Sequence, residues 1–185
     1  MALSVSFHGK YIPLQGVEHI IHAADILRRE DISFTLIGSG QTFPMAKKMA
    51  EGLQLENVIF VERVPFEQLP GMLRGFDVSL GVFGDTDKAA RVIPNKIYEA
   101  AALGRAILTA DTPAIREFFT DRENILLCRR SDPKDLAAKL LILKDDAALQ
   151  TRLGEGALRL FREKCTPRVI GRELLAALEE LIRRA

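Results

Sequence analysis

The chain has 185 residues, enough for one well-buried domain, with 26 lysines and arginines against 25 aspartates and glutamates, a balance that makes no field to gather nucleic acid. Apolar residues make up 48% of it but are broken by charges too often to supply the roughly 20 consecutive residues that span a bilayer. The opening MALSVSFHG lacks the charged and apolar regions of a signal peptide, and Cys128 and Cys165 stand apart without histidines at metal-ligand spacing, as expected of reduced thiols in a cytoplasmic protein.

Along the chain, short apolar segments alternate with helical patterns. Residues 5–9 (VSFHG) are branched or aromatic and end in glycine, which reads as a strand; residues 17–29 (VEHIIHAADILRR) then carry apolar side chains at helical spacing. The pair recurs as 34–38 (FTLIG) with 43–53 (FPMAKKMAEGL), 57–61 (NVIFV) with 66–75 (FEQLPGMLRG), and 77–83 (DVSLGVF) with 95–104 (NKIYEAAALG). It closes with 106–110 (AILTA) before 113–119 (PAIREFF), and 124–128 (NILLC) before 133–143 (PKDLAAKLLIL). Six such repeats predict a three-layer, Rossmann-like α/β domain: a six-stranded parallel sheet with helices on both faces, since each parallel crossover needs a helix or its equivalent.

Two more helices, 147–164 and 167–184, follow without a strand and are expected to pack across the sheet. The last carries Val169, Ile170, Leu174, Leu175, Leu178, Leu181 and Ile182, a stripe that needs cover from the sheet or from a surface outside this chain. No linker, repeat or low-complexity tract divides residues 1–185, so one domain is expected. Its first strand begins almost at Met1, as in a sheet that opens a chain or in the second half of a longer protein.

Open parallel sheets bind ligands at the carboxyl ends of their strands. That points to residues 8–16 (HGKYIPLQG), Gly38-Ser39-Gly40, Arg63-Val64-Pro65, 83–96 (FGDTDKAARVIPNK) and 110–117 (ADTPAIRE). Gly38-Ser39-Gly40 permits either a close approach of backbone amides to a phosphate or a tight turn between strand and helix. The stretch RVIPNKIYEA, residues 91–100, carries more information. Pro94 suits the first helical position, so Asn95 and Lys96 would present unpaired amides whose partial positive charge, with the Lys96 ammonium, makes a seat for an anion. Glu99 lies one turn on. Its carboxylate can accept two hydroxyl hydrogen bonds, as a ribose diol offers, or can serve the helix dipole alone.

The order of strand, GSG, NVIFVERV and NKIYEAAALGRAILTADTPAIREF resembles the C-terminal, donor-binding domain of GT-B glycosyltransferases, in the retaining group-one family (family four) that uses nucleotide-sugars. The likeness covers essentially the whole chain and is most specific from Lys96 to Glu117. It implies that Glu99 holds the nucleotide ribose, that Pro94, Asn95 and Lys96 approach the diphosphate, that Gly9 and Gly38 lie beside the nucleotide, and that main-chain groups at Val64 read the base. Position 91, eight before Glu99, carries arginine where the family has a glutamate on the transferred sugar; Pro94-Asn95-Lys96 looks like a Pro-x-Lys variant of that element. Lys10 and Gln15 stand where the family has a cationic diphosphate clamp, so Arg91 and Lys96 are candidates for the missing charge. The resemblance implies hexosyl transfer from a UDP- or GDP-sugar with retention, Lys10 and Lys96 as catalytic groups, and no cofactor or metal. It also implies an N-terminal acceptor domain absent from this chain, inactivity of this half alone, and contact with the inner face of the membrane only through that other domain.

Rival readings attach to other residues. Asp85-Thr86-Asp87 could hold Mg²⁺ or Mn²⁺ under a diphosphate, or form a plain acidic loop. His8 could touch donor or acceptor, or be a solvated loop histidine; His19 and His22 are one turn apart on a helix but lack a third ligand. Arg116 and Glu117 open a helix near the same crevice, where surface roles suffice. Two other functions share the fold: half of a nucleotide-sugar epimerase, and a free-standing nucleotide-binding module or partner subunit.

Overall fold

The computed structural model describes residues 2–184. Its centre is a parallel sheet of six strands in the order β3-β2-β1-β4-β5-β6, formed by Leu3–His8, Ile32–Ile37, Val58–Val61, Val78–Leu80, Ala106–Ala110 and Leu126–Cys128 as β1 to β6. Helices cover both faces, as the alternating pattern predicts. Along β1 the period of two sends Leu3, Val5 and Phe7 to one face, where they join Phe34, Leu36, Val78, Leu80 and Leu108 in the larger core. That face is covered by α1 (Val17–Ile26), α2 (Phe43–Gly52) and α7 (Pro133–Asp145), which supply Ile20, Ala46 and Leu140 to the same core. Phe7 and Phe34 are fully buried, so truncating either to alanine is expected to cost about 3–5 kcal/mol.

The opposite face has a second core of Ile97, Ala100, Ile107, Ile115, Leu127 and Ala157. Its helices are α5 (Asn95–Ala102), the short α6 (Pro113–Arg116) and α8 (Ala147–Lys164), while the single-turn α3 (Leu69–Leu73) carries the crossover from β3 to β4. Side chains fix the starts of α6 and α7, among other helices. Thr112 Oγ1 accepts from the Ile115 amide at 3.2 Å to cap α6, and Asp132 accepts from the Lys134 and Asp135 amides at 3.0 Å to cap α7.

Besides shorter helices and strands at several ends, four details differ from the sequence expectation. β4 stops at Leu80 instead of 83, because the Val82 amide turns to Thr109 Oγ1 at 3.0 Å and the Phe83 amide to the Gln15 carbonyl at 3.0 Å. The loop after it contains a helical turn, α4 (Asp87–Ala90), capped by Thr86 Oγ1, which accepts from the Ala89 amide at 3.2 Å. Pro94 is the residue before α5, not its first helical residue: its ψ of 150° is extended and its carbonyl accepts from Ile97 at 3.0 Å. Finally, α8 packs across β5 as expected but α9 (Pro167–Arg184) does not lie on the sheet. Helix α8 already occupies that face, so α9 continues beyond it, has no buried residue, and leaves Leu174, Leu175, Leu181 and Ile182 each more than half exposed. Among the described residues, no helix is long and apolar enough to cross a membrane.

Candidate functional site

The sheet order places the switch point between β1 and β4: the chain moves outward from β1 through β2 to β3, then returns to β4 on the other side of β1. Loops leaving β1 and β4 therefore diverge and open a crevice at their carboxyl ends. Two glycines line it. Gly38 has a φ of +128°, and a Cβ there would lie 2.0 Å from the Gly9 carbonyl oxygen, so the loops after β1 and β2 touch only because that position lacks a side chain. A Cβ on Gly9 would lie 3.0 Å from Lys96 Nζ, which identifies what fills the space above it.

Lys96 comes from the first turn of α5 and is only 6% exposed. Its ammonium donates to Gln15 Oε1 at 2.7 Å and sits 3.6 Å above the centroid of the Phe7 ring. Gln15, itself buried, thus works as the acceptor that holds Lys96 in place. Burial pushes the Lys96 ammonium well below the usual lysine range, offset in part by the nearby Glu99 carboxylate. The result is an amine held by neutral partners in a low-dielectric pocket, with the Glu99 carboxylate nearby. An anion entering the crevice would gain more from it than from a lysine in water.

Glu99 lies one turn further along α5. Its Oε2 is 2.7 Å from His8 Nε2, a bond between the helix and the last residue of the central strand. The His8 side chain is 7% exposed and that of Glu99 41%, so the carboxylate is fixed at one oxygen and open at the other. This hydrogen bond holds the Glu99 carboxyl below its ordinary range against the opposing effect of burial, with the His8 and Lys96 charges assisting. Glu99 also borders two grooves. One, of about 290 Å³, runs between α3 and α5 and is lined by Phe66, Leu69, Leu73, Ala102 and Leu103; the other, of about 310 Å³, lies beside Tyr98 and Phe161.

Gly9, Gly38, Lys96 and Glu99 are therefore brought together, joined by His8 and Gln15. The Asn95 and Lys96 amides at the start of α5 find no acceptor among the described residues, and the Asn95 side chain is exposed beside them. Lys10 follows Gly9 but is exposed on the rim. Val64 is half-buried in the loop leaving the edge strand β3. Arg91 is exposed after α4, where its Nε donates to the Asp87 carbonyl at 3.3 Å, so its place is the end of that turn and not the buried group around Lys96. Asp85-Thr86-Asp87 is organised around the α4 cap, and among the described residues no three His, Cys, Asp or Glu side chains form a metal-sized cluster. Arg116 forms a two-pronged exposed pair with Asp111 at 2.6 Å.

Sequence reasoning missed the partnerships of His8 and Gln15, and it missed the apolar groove beside Glu99. A signal for the groove existed in the Phe66, Leu69 and Leu73 spacing. A different cavity, of about 360 Å³, lies at the amino ends of β4 and β5 among Asp77, Arg105, Gln150 and Glu155. Two of its charged groups have structural partners: Asp77 accepts from the Ser4 amide and hydroxyl, and Arg105 donates to the Arg74 and Phe76 carbonyls.

Comparison with known proteins gives a family and a fold. The family model described as glycosyl transferases group 1 matches residues 2–146. The glycosyl transferase WcaI of Escherichia coli (strain K12), provisionally assigned to colanic acid biosynthesis, is 32% identical over 108 residues, covering 58% of this chain and 26% of WcaI. The uncharacterized glycosyltransferase MJ1178 of Methanocaldococcus jannaschii is 24% identical over 163 residues, 86% of this chain and 44% of the relative. The chain thus spans less than half the length of either. Among solved structures, the C-terminal domain of the group 1 glycosyl transferase LpcC from Francisella tularensis aligns with a TM-score of 0.76 at 19% identity, covering 89% of this chain and 87% of that one. Anabaena HepE, solved in complex with UDP-glucose, aligns with a TM-score of 0.83 at 16% identity over 97% of this chain and 49% of that one. These likenesses share the fold.

Proposed function

Because the chain belongs to the group 1 glycosyl transferases, we propose that it is the donor-binding half of a retaining hexosyltransferase that takes its sugar from a UDP- or GDP-sugar. The observation that carries this reading is the buried Lys96 beside Gly9, one helical turn from a carboxylate tethered at a single oxygen. The diphosphate lies against Lys96 and the Asn95 and Lys96 amides, with Lys10 and Arg91 available from the rim. Glu99 takes the ribose hydroxyls, Gly9 and Gly38 let the nucleotide approach the backbone, and main-chain groups at Val64 meet the base.

As the bond from the anomeric carbon to the diphosphate breaks, its electron pair moves onto the leaving oxygen. Donors fixed around that oxygen lower the barrier because they need no reorganisation as charge develops. Lys96 and Lys10 supply that charge, and no metal is required. A second, N-terminal domain holds the acceptor, and transfer requires both; any contact with the inner, cytoplasmic face of the membrane is made through that domain. The complex of HepE with UDP-glucose, a protein of the same fold, supports a nucleotide-sugar as donor.

Calorimetric titration of UDP, GDP and their hexose conjugates into the chain tests this reading. One nucleotide is expected to bind, and Glu99→Ala to weaken it by about tenfold or more with the fold intact. Equal affinity in the variant and the parent would remove Glu99 from the ribose role, and failure of both nucleotides at millimolar concentration would overturn the donor reading.

A further inference from the structure

His8 closes the central strand, its backbone paired in register with Ile37 of β2, so the position of its ring is set by the sheet. The ring is buried, yet Nδ1 has no hydrogen-bond partner among the described residues. A buried polar atom without a partner is destabilising, and phenylalanine would fill a similar volume without that cost. The only hydrogen bond of the ring among the described residues is the one from Nε2 to Glu99 Oε2, at 2.7 Å. With hydrogen on Nε2, the ring donates to the ionised carboxylate, a charge-assisted bond that removes the swing a half-exposed glutamate otherwise has. Glu99 Oε1 has no hydrogen-bond partner among the described residues, and the side chain is 41% exposed.

We propose that His8 is a positioning residue: it clamps one oxygen of Glu99 so that the other is presented to the vicinal hydroxyls of the donor ribose. This rests on the ribose role of Glu99. It assigns the polar cost at the end of β1 to ligand geometry instead of packing.

The test titrates UDP and 2′,3′-dideoxy-UDP into the parent chain and into the H8F, H8Q, H8N and E99A variants, with the amide spectrum of each confirming its fold; the guanine pair is used if GDP binds more tightly. H8F is expected to lose about tenfold in UDP affinity while binding the dideoxy nucleotide like the parent. H8Q, whose amide nitrogen reaches close to the place of Nε2, restores most of the loss, and the shorter H8N does not. Parental UDP affinity in H8F alongside a weakened E99A overturns the role of His8 while the donor reading stands. Equal losses for both nucleotides in H8F also overturn it, because His8 would then be structural. An E99A variant as tight as the parent, or a parent that binds neither nucleotide, overturns the ribose reading and this inference with it.

Discussion

Replacing Lys96 by methionine separates what its amine does for binding from what it does to stability. The ammonium is buried, with one hydrogen bond of 2.7 Å to the neutral Gln15 amide and the Phe7 ring 3.6 Å beneath it. Because burial lowers its folded-state pKa, the unfolded chain binds this proton more tightly than the folded one. The amine therefore opposes folding most strongly below the lowered value, and that cost fades as pH rises toward the ordinary lysine range. A diphosphate reverses the balance: a charge pair at roughly 4 Å is worth about 4 kcal/mol at an effective dielectric near 20, before desolvation is deducted. We expect Lys96→Met to weaken UDP binding about a hundredfold, near 2.7 kcal/mol. Methionine alone would leave Gln15 Oε1 without its donor, at about 1–3 kcal/mol, so the informative variant is K96M/Q15M. Calorimetry with UDP and thermal unfolding at neutral pH provide the assay, and the double variant should be no less stable than the parent while losing nucleotide. The parent, but not the variant, should also lose affinity for UDP-glucose as pH rises above the lowered Lys96 value. Parental UDP affinity in the double variant, or a stability loss above about 2 kcal/mol, would refute the reasoning.

Other substitutions probe the surrounding frame. Gly38→Ala combines a left-handed φ of +128° with a Cβ 2.0 Å from the Gly9 carbonyl, so denaturant unfolding should show a loss of at least ~3 kcal/mol; an unchanged midpoint would contradict the close approach of the two loops. The hydrogen bond from His8 depresses the Glu99 carboxyl, so its contribution is present above the ordinary carboxylate range and is lost as pH falls through the lowered value. UDP-glucose affinity should show that acid limb in the parent and lack it in Glu99→Gln; a limb at or above the ordinary range would count against the His8 bond. Ending the chain after Thr166 removes a helix with no buried residue and should change unfolding free energy by less than about 1 kcal/mol, which chemical denaturation can check.

Much of the sheet is legible in the sequence because both-face burial writes itself as short branched runs, such as FTLIG, which ends at Gly38, and AILTA, which follows Arg105 and ends at Ala110. β1 is less plain. Leu3, Val5 and Phe7 feed the core while Ser4 and Ser6 face the other side, with Ser6 Oγ 3.4 Å from Ser79 Oγ, so polar residues are buried where a hydrophobic run is expected. The early end of β4 depends on Thr109 and Gln15, which are distant in sequence and compete for its amides. The site divides in the same way. Lys96 and Glu99 share a helix turn, so their proximity follows from spacing. Their partners do not: Gln15 is 81 residues from Lys96 and His8 is 91 from Glu99, and only the β1-β4 switch point brings them together. The stripe on α9 is readable as apolar, but periodicity alone cannot distinguish a sheet from a surface outside the chain as its cover.

The location of bound nucleotide is the most direct measurement. Amide and side-chain resonances of the chain, followed during titration with UDP and GDP, should shift at Gly9, Gly38, Asn95, Lys96 and Glu99 around the switch point. Saturable shifts confined to the cavity at the other end of the sheet, around Arg105, Gln150 and Glu155, would contradict a donor seat built on Lys96 and Glu99.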